Sequence, residues 1–321
     1  MSESVRPRIV LSRCIEVDSC RWDGLRIASE VVRVLLPHAD LVSICPEVEI
    51  GLGVPRPPIR VISTADGLRL YQPATERDCT AEMVAFADAF LSGLGAVDGF
   101  ILKSHSPSCG ARDVRVYEGL TDETISQRGA GFFAAAVAAR CATTAIEDEA
   151  RLADRSLRHH FFVRIYAAAR FRRQVLASPS IGALVAFHAA HKLLLLACDE
   201  RQMRVMGKIV ANHDALAPNE VISAYGERLS LALAKPPSPT ASVSVLQHGL
   251  GYMKVAAAEK RFFLERLEDY RGGRVPLSVP TAILRSWIVR SGERYLAQQA
   301  FFAPYPDELL QITDPPQGSD L

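Results

Sequence analysis

Three short apolar runs, each soon followed by a cysteine, set the strongest constraint on how this chain folds. They are Arg8-Ile-Val-Leu-Ser12 before Cys14, Ala39-Asp-Leu-Val-Ser-Ile44 before Cys45, and Gly99-Phe-Ile-Leu-Lys-Ser104 before Cys109. Runs of this length and character read as buried β-strands. In an open parallel sheet the carboxyl ends of the strands line the ligand crevice, so three thiols far apart in sequence are expected to converge there. Helical patterns lie between the runs. Gly24–Leu36 is stopped by Pro37, Thr80–Leu91 has Thr80 as its expected N-cap and Gly93 and Gly95 beyond its end, and Gly131–Cys141 is the third. Strands separated by helices predict an α/β fold: a three-layer sandwich around a mostly parallel sheet.

Beyond about residue 150 the strand pattern fades. Helical periodicity covers Asp154–Leu176, Ile181–Ala197, Glu200–Asn212, Asn219–Ala234, Ser242–Tyr270 and Pro280–Ala300, punctuated by Pro179, Pro218, the Pro236–Pro239 cluster and Gly272-Gly273. This predicts an all-α helical domain over 149–321 after an α/β domain over 1–148, with a disordered tail from Asp314. Apolar residues make up 49% of the chain, enough for two real cores. Seven cysteines are an odd number, too sparse for a disulfide scaffold, and a reducing cytoplasm is the expected location. No stretch approaches the roughly 18 uncharged apolar residues of a membrane span, and the N-terminus has no signal-peptide core. The net charge of +1 conceals a split. Residues 1–150 hold 15 Lys and Arg against 21 Asp and Glu, a net of −6, while residues 151–321 hold 22 against 15, a net of +7. A basic half joined to an acidic one suggests a polyanionic partner for the basic half, with solvated arginine-rich helices as the alternative.

The chemistry concentrates in the three cysteine loops. Ser12-Arg13-Cys14 leads to Cys20-Arg21-Trp22-Asp23-Gly24. The second loop runs Cys45-Pro46-Glu47-Val-Glu49-Ile-Gly51-Leu-Gly53-Val-Pro55-Arg56, and the third Lys103-Ser104-His105-Ser106-Pro107-Ser108-Cys109-Gly110. Three converging thiolates without a fourth suggest a soft metal centre with one open position, and the glycines let backbone approach an inorganic core. Sulfurs within roughly 7 Å of one another would suit an iron–sulfur cluster. Glu47 reads either as a functional carboxylate beside Cys45 or as a loop carboxylate paired with Arg13 or Arg56. Gly51-Leu-Gly53 is not a nucleotide loop, because Pro55, Pro57 and Pro58 follow where a helix would have to begin. Cys20 is a reserve ligand or pocket wall; Cys79, Cys141 and Cys198 read as packing residues. His188 and His191 share a helix face with no third ligand in view and read as packing or surface residues.

These loops together resemble the thiouracil desulfidase family. The second half is similar to its usual helical companion domain at Phe187-His-Ala-Ala-His-Lys192, Gly251-Tyr-Met-Lys254, Tyr270–Leu277 and Tyr295–Leu309. The two-domain form resembles bacterial desulfidases that act on 4-thiouridine in tRNA. The resemblance implies that Cys14, Cys45 and Cys109 ligate a 4Fe-4S cluster with one open iron and that Glu47 is the catalytic carboxylate. It further implies a catalytic serine in the third loop, Ser106 as first choice and Ser104 as second. The implied reaction is hydrolytic: a thiocarbonyl becomes a carbonyl and sulfide leaves. A tRNA or thionucleotide substrate gives the helical half a role, because phosphate contacts are supplied by Lys and Arg. Seven arginines from Arg151 to Arg173 lie close together, and Arg155, Arg158, Arg170 and Arg172 are the expected RNA contacts, with His159, His160 and Phe161 placed to stack on bases. Desulfuration of free thiobases, or a non-catalytic iron–sulfur RNA-binding protein, are the alternatives.

Overall fold

Among the described residues, 5–310 of this computed structural model, nine strands form two sheets. In chain order they are β1 (Arg8–Ser12), β2 (Asp40–Ile44), β3 (Arg60–Thr64), β4 (Gly67–Gln72), β5 (Arg77–Asp78), β6 (Gly99–Leu102), β7 (Val114–Glu118), β8 (Thr124–Gly129) and β9 (Ala145–Asp148). The first sheet has the order β2-β1-β6-β9, and every neighbouring pair in it is parallel. The three runs read as buried strands are β1, β2 and β6; β1 and β6 are buried, whereas β2 lies at the sheet edge with only Ile44 buried, because it pairs on one side alone. From β1 the chain moves to β2 on one side and later to β6 on the other, so the topological switch falls at the carboxyl end of β1, where α/β sheets open a crevice.

The second sheet, β5-β4-β3-β7-β8, has no counterpart in the sequence pattern. It is mixed: β3 pairs with β7 in parallel, and its other pairings are antiparallel. Its strands are partly exposed, as in the alternating burial along Val114–Glu118, so they lack the continuous apolar text of β1 and β6. Four helices accompany the sheets: α1 (Glu30–Leu35), α2 (Pro46–Glu49), α3 (Thr80–Gly93) and α4 (Phe132–Arg140). One buried core, including Val10, Phe100, Val61, Leu70, Met83 and Phe133, joins both sheets to α3 and α4. Helix α1 is shorter than expected because Ser29 caps it, its Oγ accepting from Val32 N at 3.4 Å, while Ile27 upstream pairs with Ile15 as an isolated bridge. Thr80 does not cap α3. Its hydroxyl instead accepts from Leu70 N at 2.8 Å, tying the helix to β4, and Asp78 accepts from Thr80 N.

Contacts divide the chain into two units, Met1–Phe161 and Phe162–Leu321, so residues 149–161 fall with the first. Across that division runs α5 (Arg155–Phe171), followed by a π-helical turn over Arg172–Leu176. The described part of the second unit continues with α6 (Ile181–Cys198), α7 (Glu200–Ala211), α8 (Pro218–Ala232), α9 (Pro239–Leu250), α10 (Ala257–Arg271), α11 (Ser278–Ser291) and α12 (Arg294–Ala297). The expected Ser242–Tyr270 helix is two helices, because Gly251 ends α9 and Glu259 reaches back to Ala256 N at 2.9 Å to start α10. Gly292, at φ +66, ends α11 and divides the expected Pro280–Ala300 helix. Helix α6 is long and apolar enough to cross a membrane, contrary to the expectation that no stretch approaches that length. Leu184, Phe187, His191, Leu193, Leu194 and Leu195 are nevertheless buried within its own unit. The Asp314 tail lies outside the described residues.

Candidate metal centre and active site

Each cysteine loop is held by backbone hydrogen bonds at a strand end. After β1, Arg13 N donates to Ile44 O at 2.7 Å, closing the β1 loop against the end of β2, and Ile27 N donates to Cys14 O at 2.8 Å. Cys45 follows β2 and stands at the N-cap of α2, a single turn whose first residue is Pro46; its carbonyl accepts from Val48 N and Glu49 N at 3.0 and 3.1 Å. This turn raises Glu47 beside the thiols. In the third loop Ser106 Oγ accepts from Ser108 N at 3.3 Å and Cys109 N at 3.1 Å, and the start of α4 fixes the loop through Phe132 N to Pro107 O and Ala134 N to Ser108 O, each at 3.1 Å. Gly131 makes this approach possible: a Cβ there would lie 2.5 Å from the Ser108 carbonyl.

Four thiols gather. Cys14, Cys45 and Cys109 are joined by Cys20, and all four are at most 8% exposed. Cys45 Sγ donates to Cys20 O at 3.7 Å. Hydrogen bonding to Cys14 pushes the Cys20 thiol up to about 11, with Cys45 acting in the opposite direction. Cys45 is raised by its contact with Cys20 and by burial, and burial pushes Cys109 up to about 12, with the Glu47 carboxylate and Cys45 adding to it. Thiols that crowd one another in a dry pocket keep their protons until a cation offsets the charge, and a coordinating thiol loses its proton outright. Among the described residues no three His, Cys, Asp or Glu side chains are placed to hold a single metal ion. Thiols are the donor chemistry that iron–sulfur clusters take, each thiolate on its own iron.

Glu47 is 9% exposed, and its two oxygens have different partners. Oε2 receives Arg56 Nη2 at 2.7 Å and Nε at 2.9 Å. Oε1 receives the Ser108 hydroxyl at 2.6 Å, and the Ser106 hydroxyl lies 3.5 Å away. The two serine oxygens are 3.0 Å apart. Because Ser106 Oγ already accepts two backbone N–H groups, its proton is free to go to Ser108, which passes its own to Glu47. A short relay thus runs Ser106–Ser108–Glu47, and Ser108 Oγ also lies 3.9 Å from Cys109 Sγ. Of the two serines named from sequence, Ser106 belongs to this relay. Ser104 points elsewhere: its hydroxyl donates to Glu149 Oε1 at 2.7 Å, beside the Lys103–Glu149 ion pair at 2.8 Å. Ser108 touches Glu47 most closely and is not among the serines that the sequence points to; its position next to Cys109 is the one signal it carries. Of the two arginines considered for Glu47, Arg56 takes it, and Arg13 pairs with Glu49 at 2.7 Å.

The arginines expected to contact RNA have mixed surroundings. Arg155 is exposed and Arg172 half-buried. Arg158 is 6% exposed and spends Nη1 on Leu152 O and Ala153 O, at 2.8 and 3.2 Å. Arg170 donates to Ala303 O at 2.9 Å, and burial lowers its pKa. Phe161 and His160 are buried, which removes them as stacking platforms. An exposed basic row lies instead along α7, where Arg201, Arg204 and Lys208 border an open groove with Glu200 and Val205. His188 Nδ1 lies 3.1 Å from Tyr225 Oη and His191 Nδ1 2.9 Å from Phe187 O, which fits packing histidines.

Comparison with known proteins places two family matches on the chain. Residues 9–149 match the 2-thiouracil desulfurase family, and residues 192–306 match a family of unknown function, DUF1722. Among individual relatives, the uncharacterized protein YbgA of Escherichia coli strain K12 is 26% identical over 147 residues, covering 45% of this chain and 87% of its own. The uncharacterized protein YbbK of Bacillus subtilis strain 168 is 32% identical over 111 residues, covering 32% of this chain and 73% of its own. A solved structure, the [4Fe-4S]-dependent thiouracil desulfidase TudS, is 29% identical with a TM-score of 0.38, covering 46% of this chain and 93% of its own.

Proposed function

Because the chain belongs to the 2-thiouracil desulfurase family, we propose that it replaces the thiocarbonyl sulfur of a thiolated pyrimidine with oxygen from water and releases sulfide, acting in the cytoplasm on 4-thiouridine in tRNA or its nucleotides. The observation that carries the reading is the Glu47–Ser108 contact set beside Cys109 in a pocket of buried thiols. Cys14, Cys45 and Cys109 would hold a 4Fe-4S cluster, whose iron without a protein ligand is a soft Lewis acid for the thiocarbonyl sulfur. Cys20 serves as a wall against Cys14 and Cys45. The reaction needs water to lose a proton as its oxygen adds to the ring carbon, and Glu47 Oε1 is the acceptor. Ser108 and Ser106 orient that water and return a proton to the ring nitrogen. Electrons balance without an external oxidant: C=S and H₂O give C=O and H₂S.

For the RNA substrate, support comes from the net charge of +7 over residues 151–321 and from the exposed Arg201, Arg204 and Lys208 on α7. The family description names 2-thiouracil itself, which favours a free base as the second reading. One experiment separates them: anaerobic purification, iron and sulfide assays, then sulfide release from 2-thiouracil, 4-thiouridine monophosphate and thiolated tRNA. The expected result is about four irons per chain, estimated from the cluster type, and the fastest release from tRNA. Release from the free base alone supports the second reading, and none from an iron-loaded protein sinks both. In the same assay Cys14→Ser, Cys45→Ser and Cys109→Ser each abolish cluster absorbance, whereas Cys79→Ser, Cys141→Ser and Cys198→Ser keep it.

A further inference from the structure

Arg56 is buried to 6% exposure in the second cysteine loop, a costly place for a cation unless every N–H finds a partner. Every nitrogen of its guanidinium does. Nε and Nη2 both reach Glu47 Oε2, at 2.9 and 2.7 Å. Nη1 donates to Gly53 O at 2.7 Å and Cys20 O at 3.1 Å. Nη2 also lies 4.0 Å from Cys45 Sγ. The backbone N–H of Arg56 donates to Trp22 O at 2.8 Å, and Gly53, at φ +73, adopts a conformation that turns its carbonyl inward. One planar side chain therefore touches the carboxylate, a cysteine sulfur and the loop that carries Cys20.

We propose that Arg56 is the positioning residue of this site: it holds Glu47 by Oε2 so that Oε1 faces Ser108, and it presents an N–H to the sulfur of Cys45. This rests on the desulfidase reading above. The geometry argues for more than an ion pair. A pair formed only for stability would be satisfied by any contact with the carboxylate, whereas both Arg56 donors take the same oxygen and leave the other to the serine relay. The second contact has its own consequence, because a cation beside a thiolate ligand stabilises the reduced, more negative state of a cluster. Lysine could supply the charge, but a single ammonium cannot span Glu47, Gly53, Cys20 and Cys45 together.

The test compares Arg56→Lys, Arg56→Gln and Arg56→Met with wild type. Arg13→Met, which removes the exposed pair to Glu49 on the same turn, is the control. Helix content, iron per chain, reduction potential, and kcat and KM per iron-loaded site are measured, the last two on whichever of 2-thiouracil, 4-thiouridine monophosphate and thiolated tRNA the wild type turns over fastest. The expected result is near-normal iron, with kcat per loaded site reduced about 10–100-fold and KM changed little, the pattern of a misplaced reacting group. Arg56→Met and Arg56→Gln shift the potential to more negative values, Arg56→Lys shifts it less, and Arg13→Met shifts neither quantity. Added guanidinium restores part of kcat in Arg56→Met. The proposal is overturned if kcat per loaded site and potential match wild type in all three variants, or if activity falls only in proportion to lost iron. Iron-loaded wild type that releases no sulfide defeats the desulfidase reading instead, and the potentials still judge the Cys45 contact.

Discussion

At the scale of the residue, the partners of Glu47 decide which of its atoms could serve the proposed chemistry. Oε2 is fully engaged by Arg56, so proton traffic is left to Oε1 and the Ser108 hydroxyl 2.6 Å away. Glu47→Gln should keep the cluster and lose about 10²–10⁴-fold in kcat, the usual cost of removing a general base. Ser108→Ala should cost more than Ser106→Ala, because Ser106 reaches the carboxylate only at 3.5 Å. Ser104→Ala, in the separate Lys103–Glu149 network, should leave kcat within about threefold, well short of the loss expected of an acid–base group. Steady-state sulfide release on cluster-loaded variants decides the order. A Ser104→Ala loss as large as that of Ser108→Ala would move the relay to Glu149. That the candidate site falls in the second and third cysteine loops follows from residue types. Which of three serines faces Glu47 is not, since it depends on the turn made by His105, at φ +54, and Pro107.

At the scale of the element, α6 carries a group that makes stability depend on pH. His191 is 1% exposed, its Nδ1–H donates to Phe187 O at 2.9 Å, and its ring stacks on Phe187 with centroids 3.9 Å apart. Burial is the main reason that its pKa falls to about 3, and nearby Arg170 and His188 add to it. The folded state therefore keeps His191 neutral, whereas the unfolded chain takes up a proton below about 6.5. Its contribution to stability is whole above that value and is lost as pH falls toward 3, at up to about 1.4 kcal/mol per pH unit. Urea unfolding of wild type and His191→Asn between pH 7 and 5 should show the wild type losing more stability on acidification. Equal slopes would mean that His191 titrates normally in the folded state. The element boundaries are also only partly legible. The periodicity of α9 and α10 is continuous across Gly251, and the break is set by the backbone N–H of Gly251 at the end of α9 and by the Glu259 side chain at the start of α10.

At the scale of the whole molecule, the charge split favours the helical half for polyanion binding, and the structure changes which side chains could serve it. Arg158 and Arg170 satisfy backbone carbonyls, so substituting them should damage the fold before it touches a ligand. Arg201, Arg204 and Lys208 are exposed, and Arg204 pairs with Glu200 at 2.6 Å. Replacing all three by Gln should weaken tRNA binding and lower its log–log salt slope by roughly 0.7–0.9 for each phosphate that is no longer neutralised. Sulfide release from 2-thiouracil should be unchanged. Equal loss on both substrates would make the row structural, and no loss on either would leave Arg155 and Arg172 as the remaining candidates among the arginines that the sequence suggests.

Local text was enough to show that the first half is an α/β unit containing β1, β2 and β6, that the second half is helical, and that Cys14, Cys45 and Cys109 follow strand ends. These are properties of neighbouring residues: continuous apolar runs, 3.6-residue periodicity, and reactive residue types placed just after a strand. Packing was needed for the second sheet, whose β3–β7 pairing joins segments about 50 residues apart and leaves no local trace. Packing also brought Cys20 to the other thiols, chose Arg56 over Arg13 for Glu47 and Ser108 over Ser104 for the relay, and turned Arg158 and Arg170 inward. Each of those outcomes depends on where a side chain points after distant segments meet, and composition and spacing carry no record of direction.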